Sequence, residues 1–361
     1  MAFKIAFVGL DHVHVNQMAH SFIHSGEDYE FLGAADFLSD DKDEVDRKFC
    51  CNTTPDIRKT LTLFYELEEL LALNPDLVVV NSDVKSHADC VCMLLERDFN
   101  VLVEKPMAFD FEDAKRMYRA AKKSRGELII NWPIAWFPAF NKAKELADSG
   151  IVGDVLRVQY RSPSTRGPYR LDQFTPRQLS QMWWYKSDRG GGSIFDYAGY
   201  GCVLTTWITG KNAKRVSGIR KNFFLPFSDV EDYSCFTIDF GDAVGLVEGS
   251  WSTMNNGQIA TGPVVYGREG VIVADRFDPV VKVYKDLKPY QPSPGPTEEF
   301  TLPPQDNSLM AKNVIAHFKD GAPLHELLTL DFNMRAASAL DAGVRSCNSG
   351  NTESAADPLG L

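Results

Sequence analysis

Cysteine is sparse and carries no pairing pattern: the chain has seven, an odd number, with no C-x-x-C spacing and no histidine cluster beside any of them. That argues against a disulfide framework or a cysteine-based zinc module and fits a reduced compartment. Positive charge is also short, with 38 Lys and Arg against 49 Asp and Glu and a net charge of -11. Such a balance disfavours a broad nucleic-acid surface or an anionic-membrane surface. No apolar run approaches the roughly 18 uninterrupted residues of a spanning helix. The N-terminus lacks a basic leader, a long apolar core and a small-residue cleavage site, and enters Phe3 to Val8 directly, so no export signal is expected. Internal repeats and low-complexity tracts are missing. Together these absences predict a cytoplasmic protein whose partner is a small molecule, with no nucleic acid and no membrane.

What is there is a chain of 361 residues, 44% of them hydrophobic, long enough for two packed units. From residue 1 to 130, short apolar runs alternate with helical periodicity. Phe3 to Val8, Phe31 to Ala35, Leu77 to Val80, Asn100 to Val103 and Leu128 to Ile130 read as strands, each apolar on both faces. Such strands need helices on both sides, which predicts an α/β fold with a doubly wound parallel sheet of the Rossmann type. From residue 131 to 361 the runs alternate instead. Val155 to Tyr160, Val216 to Lys221, Tyr233 to Asp239, Val244 to Ser250 and Val271 to Ala274 predict an α+β domain on a large, mostly antiparallel open sheet. A helix is expected near Tyr197 to Thr209. The proline-rich segment Pro289 to Pro304 reads as a loop or edge crossing, and Leu309 to Phe318 and Leu327 to Ser346 as closing helices.

A dinucleotide fold carries G-x-G-x-x-G after its first strand, for a tight turn, close approach to pyrophosphate and close helix packing. Here the stretch is Gly9-Leu10-Asp11-His12-Val13-His14, keeping only the first glycine. Asp11 adds negative charge where pyrophosphate should lie, and His14 is expected to hold helix and strand apart. One reading is therefore a turn that binds no nucleotide. Against it, Asp36 ends the second strand, where a carboxylate accepts hydrogen bonds from an adenosine ribose. It favours NAD over NADP, since Phe37, Leu38 and Ser39 offer no arginine for a 2′-phosphate. His12 and His14 have no acidic or cysteine partner at ligand spacing, so no metal is expected and capping or loop packing is their reading.

Two constellations carry chemistry. Glu104-Lys105-Pro106 follows the apolar run Asn100 to Val103, so the Lys105 amine stands at the carboxyl end of a buried parallel strand, where open α/β sheets bind ligands. Further on, Gly190-Gly191-Gly192-Ser193 runs into a helical pattern bearing Asp196 and Tyr200, one turn apart and so on one face. An amine, a phenol and a carboxylate form a proton-handling set, because a nearby ammonium lowers a phenol pKa. The bland alternatives are a helix cap for Asp196 and packing for Tyr200.

These residues, in this order, resemble the glucose-fructose oxidoreductase, inositol dehydrogenase and MocA family of NAD(P)-dependent sugar and polyol oxidoreductases. The likeness rests on the first strand with Gly9, on Ser82 to His87 where the family has T-P-N-H-x-H, and on Glu104-Lys105-Pro106. It continues through Phe137-Pro138 with Lys142 to Gly153, and through Gly190 to Asp196 with Trp207 and Gly210. The resemblance implies cofactor contacts from Gly9, Asp11, His12, Asp36, Ser82, His87, Glu104 and Lys105, and catalysis by Lys105, Tyr200 and Asp196. Tyr200 stands where most members have histidine, and Val203 where many have a second aspartate. Trp132 and Trp136 replace a more basic stretch and, with Trp184, imply a flat apolar face for the substrate. Hydride transfer between a hydroxyl carbon and NAD is the activity implied, in a homodimer or homotetramer. The alternatives are a lyase, epimerase or glycoside-cleaving enzyme using tightly held NAD for transient oxidation, and a non-catalytic sugar-binding member.

Overall fold

A computed structural model describes the chain except for residues 1, 165–166, 169–173, 255–258, 286–287, 289–290, 292–293, 359 and 361. It divides into two compact units, residues 1–136 with 306–334 and residues 137–305 with 335–361.

The first unit is built on six strands: β1 (Phe3–Val8), β2 (Tyr29–Ala35), β3 (Leu63–Phe64), β4 (Leu77–Val80), β5 (Val101–Glu104) and β6 (Leu128–Asn131). Their order is β3-β2-β1-β4-β5-β6, and every pairing is parallel. β4, β5 and β6 are buried along their whole length, which is why they read as continuous apolar runs. The chain leaves β1 in one direction to β2 and β3, then returns to its other side for β4. That reversal opens a crevice outside the carboxyl ends of β1 and β4, the usual ligand position in such sheets. Helix α1 (Val15–Ile23) turns Val15, Met18, Ala19 and Phe22 inward, and α2 (Lys42–Asn52) is capped by Asp41, which accepts from Glu44 N.

The sequence reading assigned everything beyond residue 130 to the second domain, whereas the first unit runs to Trp136 and takes back residues 306–334. Packing explains the return. The helix Leu309–Asp320 lies on α1, with Ala311 N donating to Ser21 Oγ at 3.1 Å and Phe318 stacked on Phe3 at 5.9 Å. Glu127 meets His317 Nε2 at 2.9 Å, and Asn333 accepts from Trp132 Nε1 at 2.6 Å.

The second unit holds β7 (Val155–Pro163), β8 (Arg215–Lys221), β9 (Tyr233–Asp239), β10 (Val244–Ser250), β11 (Val264–Gly267), β12 (Val271–Val273), β13 (Val280–Tyr284), β14 (Glu298–Thr301) and β15 (Glu353–Ser354). They form one sheet in the order β14-β13-β12-β11-β7-β10-β9-β8-β15. Only β7 and β10 run parallel among the described pairings. The helix Gly199–Thr209 is buried along most of its length and covers one face, with Gly201 against Val247 and Gly245 against Thr205. The opposite face carries Gln159, Arg161, Ile219, Cys235 and Glu248 and is half-exposed along β9. The proline-rich crossing yields edge strand β14; Pro289, Tyr290, Pro292 and Ser293 lie outside the described residues. Among the described residues no helix is long and apolar enough to cross a membrane.

Candidate functional site

At the carboxyl ends of β1, β4 and β5 the first turn is fixed by Gly9. Its φ is +81°, and a Cβ there would stand 2.6 Å from Ser82 N, so the turn passes directly over the end of β4 and admits only glycine. Asp11 N and His12 N both donate to Asn81 O, at 3.1 and 3.0 Å. Beneath them, both side-chain polar atoms of Asn81 and the Ser82 hydroxyl are buried without a hydrogen-bond partner. Buried polar atoms of this kind are ones a bound polar ligand satisfies, and they fit a dinucleotide.

Asp36 lies buried at the end of β2, its Oδ1 accepting from Phe37 N at 3.0 Å. Its Oδ2 accepts from Lys48 Nζ at 2.7 Å, and the same ammonium stands 3.1 Å from Asp11 Oδ1. Lys48 comes from α2, beyond the three residues in which sequence reading sought an arginine for a 2′-phosphate, and it pairs with Asp36 itself. Burial pushes the Asp11 carboxyl up to about 6, against the pull of Lys48 and with the help of Asp36 and Asp83. Burial alone would lower Lys48, but Asp11 and Asp36 outweigh it and hold the ammonium above its usual value.

Glu104 closes β5, fully buried. His14 Nδ1 donates to its Oε1 at 2.7 Å, and Asn131 Nδ2 donates to its Oε2 at 3.0 Å from the paired position on β6. His14 therefore turns toward Glu104, with its side chain 26% exposed, instead of wedging between helix and strand as expected. His12 takes the local capping role, its Nδ1 accepting from His14 N at 3.0 Å. Burial, then His14 and Lys105, hold the His12 imidazole well below its usual pKa.

The acidic partner that spacing could not find for the two histidines is thus Glu104, and ligand atoms of the three lie within 4.8 Å of one another. The hydrogen bonds nevertheless assign protons here. With Nδ1 of a neutral His12 accepting an amide N–H, Nε2 must carry the proton. The 2.7 Å between His14 and Glu104 is a hydrogen-bond length, below the about 3.3 Å between ligands of a tetrahedral zinc.

Lys105 follows at 1% exposure, joined to Pro106 by a cis peptide bond. His87 buckles this turn to β4, with Nδ1 3.0 Å from Pro106 O and Nε2 3.2 Å from Ser82 O. A neutral ring donates to only one of the two carbonyls, and burial lowers its pKa. All eight residues assigned to the cofactor from sequence thus gather at the carboxyl ends of β1, β2, β4 and β5.

In the second unit the glycine run shapes the other half of the candidate chemistry. Gly192 has a φ of +101°, and a Cβ there would run into the Glu231 carboxylate. Glu231 Oε1 accepts from Ile194 N at 2.9 Å, and its carbonyl accepts from Ser193 N at 3.1 Å. A π-turn, Ile194–Ala198, follows and leads into Gly199–Thr209. Asp196 sits inside this π-turn, 9% exposed, with Oδ2 accepting from Trp251 Nε1 at 2.9 Å. Tyr200 is half-buried one turn later.

Of the three tryptophans named for a ligand face, Trp132 and Trp136 belong to the first unit and Trp184 to the second. Trp132 is a packing residue bonded to Asn333, and Trp136 meets His325 edge-on at 5.4 Å in the same unit. Trp184 belongs to the second unit and stacks on Trp183 at 4.0 Å. Sequence reasoning missed Lys48, Glu231 and Trp251. Lys48 carried a faint signal, as the one lysine on the apolar side of α2 beside Val45 and Phe49; the other two carried none.

Residues 3–131 match the model of an oxidoreductase family with an NAD-binding Rossmann fold, and residues 140–273 match the GFO/IDH/MocA C-terminal domain. The chain is 34% identical over 134 residues to a 1-carboxy-3-chloro-3,4-dihydroxycyclohexa-1,5-diene dehydrogenase of Comamonas testosteroni, covering 37% of this chain and 32% of that protein. It is 23% identical over 217 residues to a trans-1,2-dihydrobenzene-1,2-diol dehydrogenase of Xenopus laevis, covering 59% of this chain and 60% of that one. The matches thus span between a third and three fifths of these relatives. In fold it is similar to an Agrobacterium radiobacter oxidoreductase solved with NAD+, L-tartaric acid and magnesium, with a TM-score of 0.75, 16% identity and 98% of both chains covered. It is equally similar to the WlbA dehydrogenase of Bordetella pertussis solved with NADH and UDP-GlcNAcA, with a TM-score of 0.75, 16% identity and 98% and 99% covered. On these grounds the chain belongs to the GFO/IDH/MocA family of oxidoreductases, with an NAD-binding Rossmann domain at its N-terminal end.

Proposed function

We propose that the protein is an NAD-dependent dehydrogenase acting on a secondary hydroxyl of a sugar, a polyol or a cyclic diol, with Lys105, Tyr200 and Asp196 serving one substrate. The observation that carries this reading is Lys105 itself, buried at the carboxyl end of β5 beside the first turn. Asp196 and Tyr200, on one stretch of helix in the second unit, supply the carboxylate and phenol. The diol dehydrogenases among the relatives support a vicinal diol on a six-membered ring as a substrate class.

Bound nicotinamide supplies the hydride acceptor at its C4. In this reading Tyr200 takes the hydroxyl proton, Lys105 donates to the substrate oxygen, and Asp196, steadied by Trp251, accepts from a neighbouring substrate hydroxyl. The first-unit residues around Glu104 keep Lys105 in place and exclude water.

The test is a panel of sugars, polyols and cyclic dihydrodiols with NAD+, following NADH formation. Lys105→Ala and Tyr200→Phe should each lower kcat by at least about 100-fold while the circular dichroism spectrum is unchanged. Wild-type rates in both variants on a true substrate would refute the assignment.

A further inference from the structure

The second position of the glycine fingerprint exists to bring bare backbone up to a pyrophosphate, and here it holds Asp11. Asp11 is buried, so its carboxylate is poorly screened by water and would repel the phosphates strongly. Lys48 answers this charge. Its Nζ lies 3.1 Å from Asp11 Oδ1 and 2.7 Å from Asp36 Oδ2, with its side chain 9% exposed. Among the described residues, other charged groups near this cluster include Glu44, on α2, 3.8 Å from Lys48 and largely in solvent, and Asp83, after β4, whose carboxylate accepts from Ser86 N and Ser86 Oγ and raises the Asp11 pKa. His12 and His14 belong to the turn itself.

We propose that Lys48 is a positioning residue for the dinucleotide, standing in for the second glycine by cancelling Asp11 where the pyrophosphate passes while it fixes Asp36 for the adenosine ribose. This rests on the NAD-binding assignment and adds a residue to it. Charge counting makes it specific. Asp11, Asp36 and Lys48 together carry one net negative charge, and removing Lys48 alone raises this to two. Removing the Asp11 carboxylate as well restores one, so a cofactor that senses this charge should bind the double variant as it binds the wild type.

The experiment measures Kd for NAD+ and for ADP-ribose by calorimetry at low ionic strength and pH 8, on the full chain freed of bound nucleotide. Lys48→Met should weaken both ligands by about 10- to 100-fold, the range for a charge removed several ångströms from a partly buried phosphate. Asp11→Asn with Lys48→Met should return to within about 3-fold of wild type, a rescue that a merely structural lysine would not give. Asp11→Asn alone keeps the Lys48–Asp36 pair, so it folds even where Lys48→Met does not, and it should tighten NAD+ by about 10-fold. Wild-type binding of NAD+ with no tightening in Asp11→Asn overturns the inference and leaves the cofactor assignment standing. No NAD+ binding by the wild type overturns both.

Discussion

Replacing Glu231 by glutamine should stabilise the protein above neutral pH, and the size of the gain follows from where the carboxyl sits. Glu231 is buried beneath the Gly190 to Gly192 turn, and burial pushes its pKa from 4.5 up to about 7, against the Ile194 N–H and Arg220. A group whose pKa is higher in the folded state stabilises the fold below its unfolded pKa. That contribution is lost as pH rises from 4.5 through 7. The shift amounts to about 3 kcal/mol between the two limits. Glutamine keeps an oxygen for Ile194 N, never ionises, and gives up only the contact of Oε2 with Arg220 at 3.8 Å. Arg220 is 40% exposed, so that contact contributes at most about 1 kcal/mol, and the shift to about 7 already contains it. The amide's extra N–H group costs about another 1. Glu231→Gln should therefore be less stable than wild type by about 1 kcal/mol at pH 4.5 and more stable by about 2 kcal/mol at pH 8. The assay is urea unfolding at both pH values, followed by tryptophan fluorescence, to which Trp183, Trp184, Trp207 and Trp251 of the second unit contribute four of the six indoles. A difference between variant and wild type that stays constant within about 0.5 kcal/mol across this range would refute the burial argument.

Three further outcomes follow from the same geometry. NAD+ affinity should fall as pH rises through about 6, where Asp11 ionises, and Asp11→Asn should flatten that profile; a wild-type affinity independent of pH between 5 and 8 counts against it. Gly9→Ala should destabilise the first unit by roughly 1–3 kcal/mol, from its left-handed φ and the collision with Ser82, and should weaken NAD+ in titration; wild-type stability and affinity would contradict the close approach of the turn. Trp251→Phe removes the N–H bonded to Asp196, costing about 1–2 kcal/mol of stability, and should raise KM more than it lowers kcat; an unchanged KM would separate Asp196 from substrate.

The sheets were legible because their physics is local. β1, β4 and β9 fall where apolar runs or alternation put them, since a strand buried on two faces and one buried on a single face leave different patterns. Short strands such as β3 and β14 left no such mark. The return of Leu309–Asp320 to α1 could not be read, because an amphipathic helix shows that it has a partner but not which one. Of the candidate site, Gly9, Asp36 and Lys105 were found as residues whose types the turn and strand ends demand. The contacts that complete the site were hidden by sequence distance: Glu104 with His14, Glu231 with Ile194 N and Trp251 with Asp196 meet only in the folded chain.

The same distinction explains which part of the fingerprint this chain could lose. Gly9 stands 2.6 Å, measured from its would-be Cβ, from the backbone of Ser82, and no side chain elsewhere can relieve a collision with backbone, so that glycine stays. The second position fails differently, by introducing a charge, and a charge can be answered from another element, as Lys48 answers Asp11. The third adds bulk, and bulk can be turned aside when a partner outside the helix contact draws it away, as Glu104 draws His14. A degraded motif is therefore weak evidence against its ligand where each departure has its own compensation. In this chain the two departures at Asp11 and His14 are compensated by Lys48 and Glu104, at the carboxyl ends of the very strands that frame the crevice.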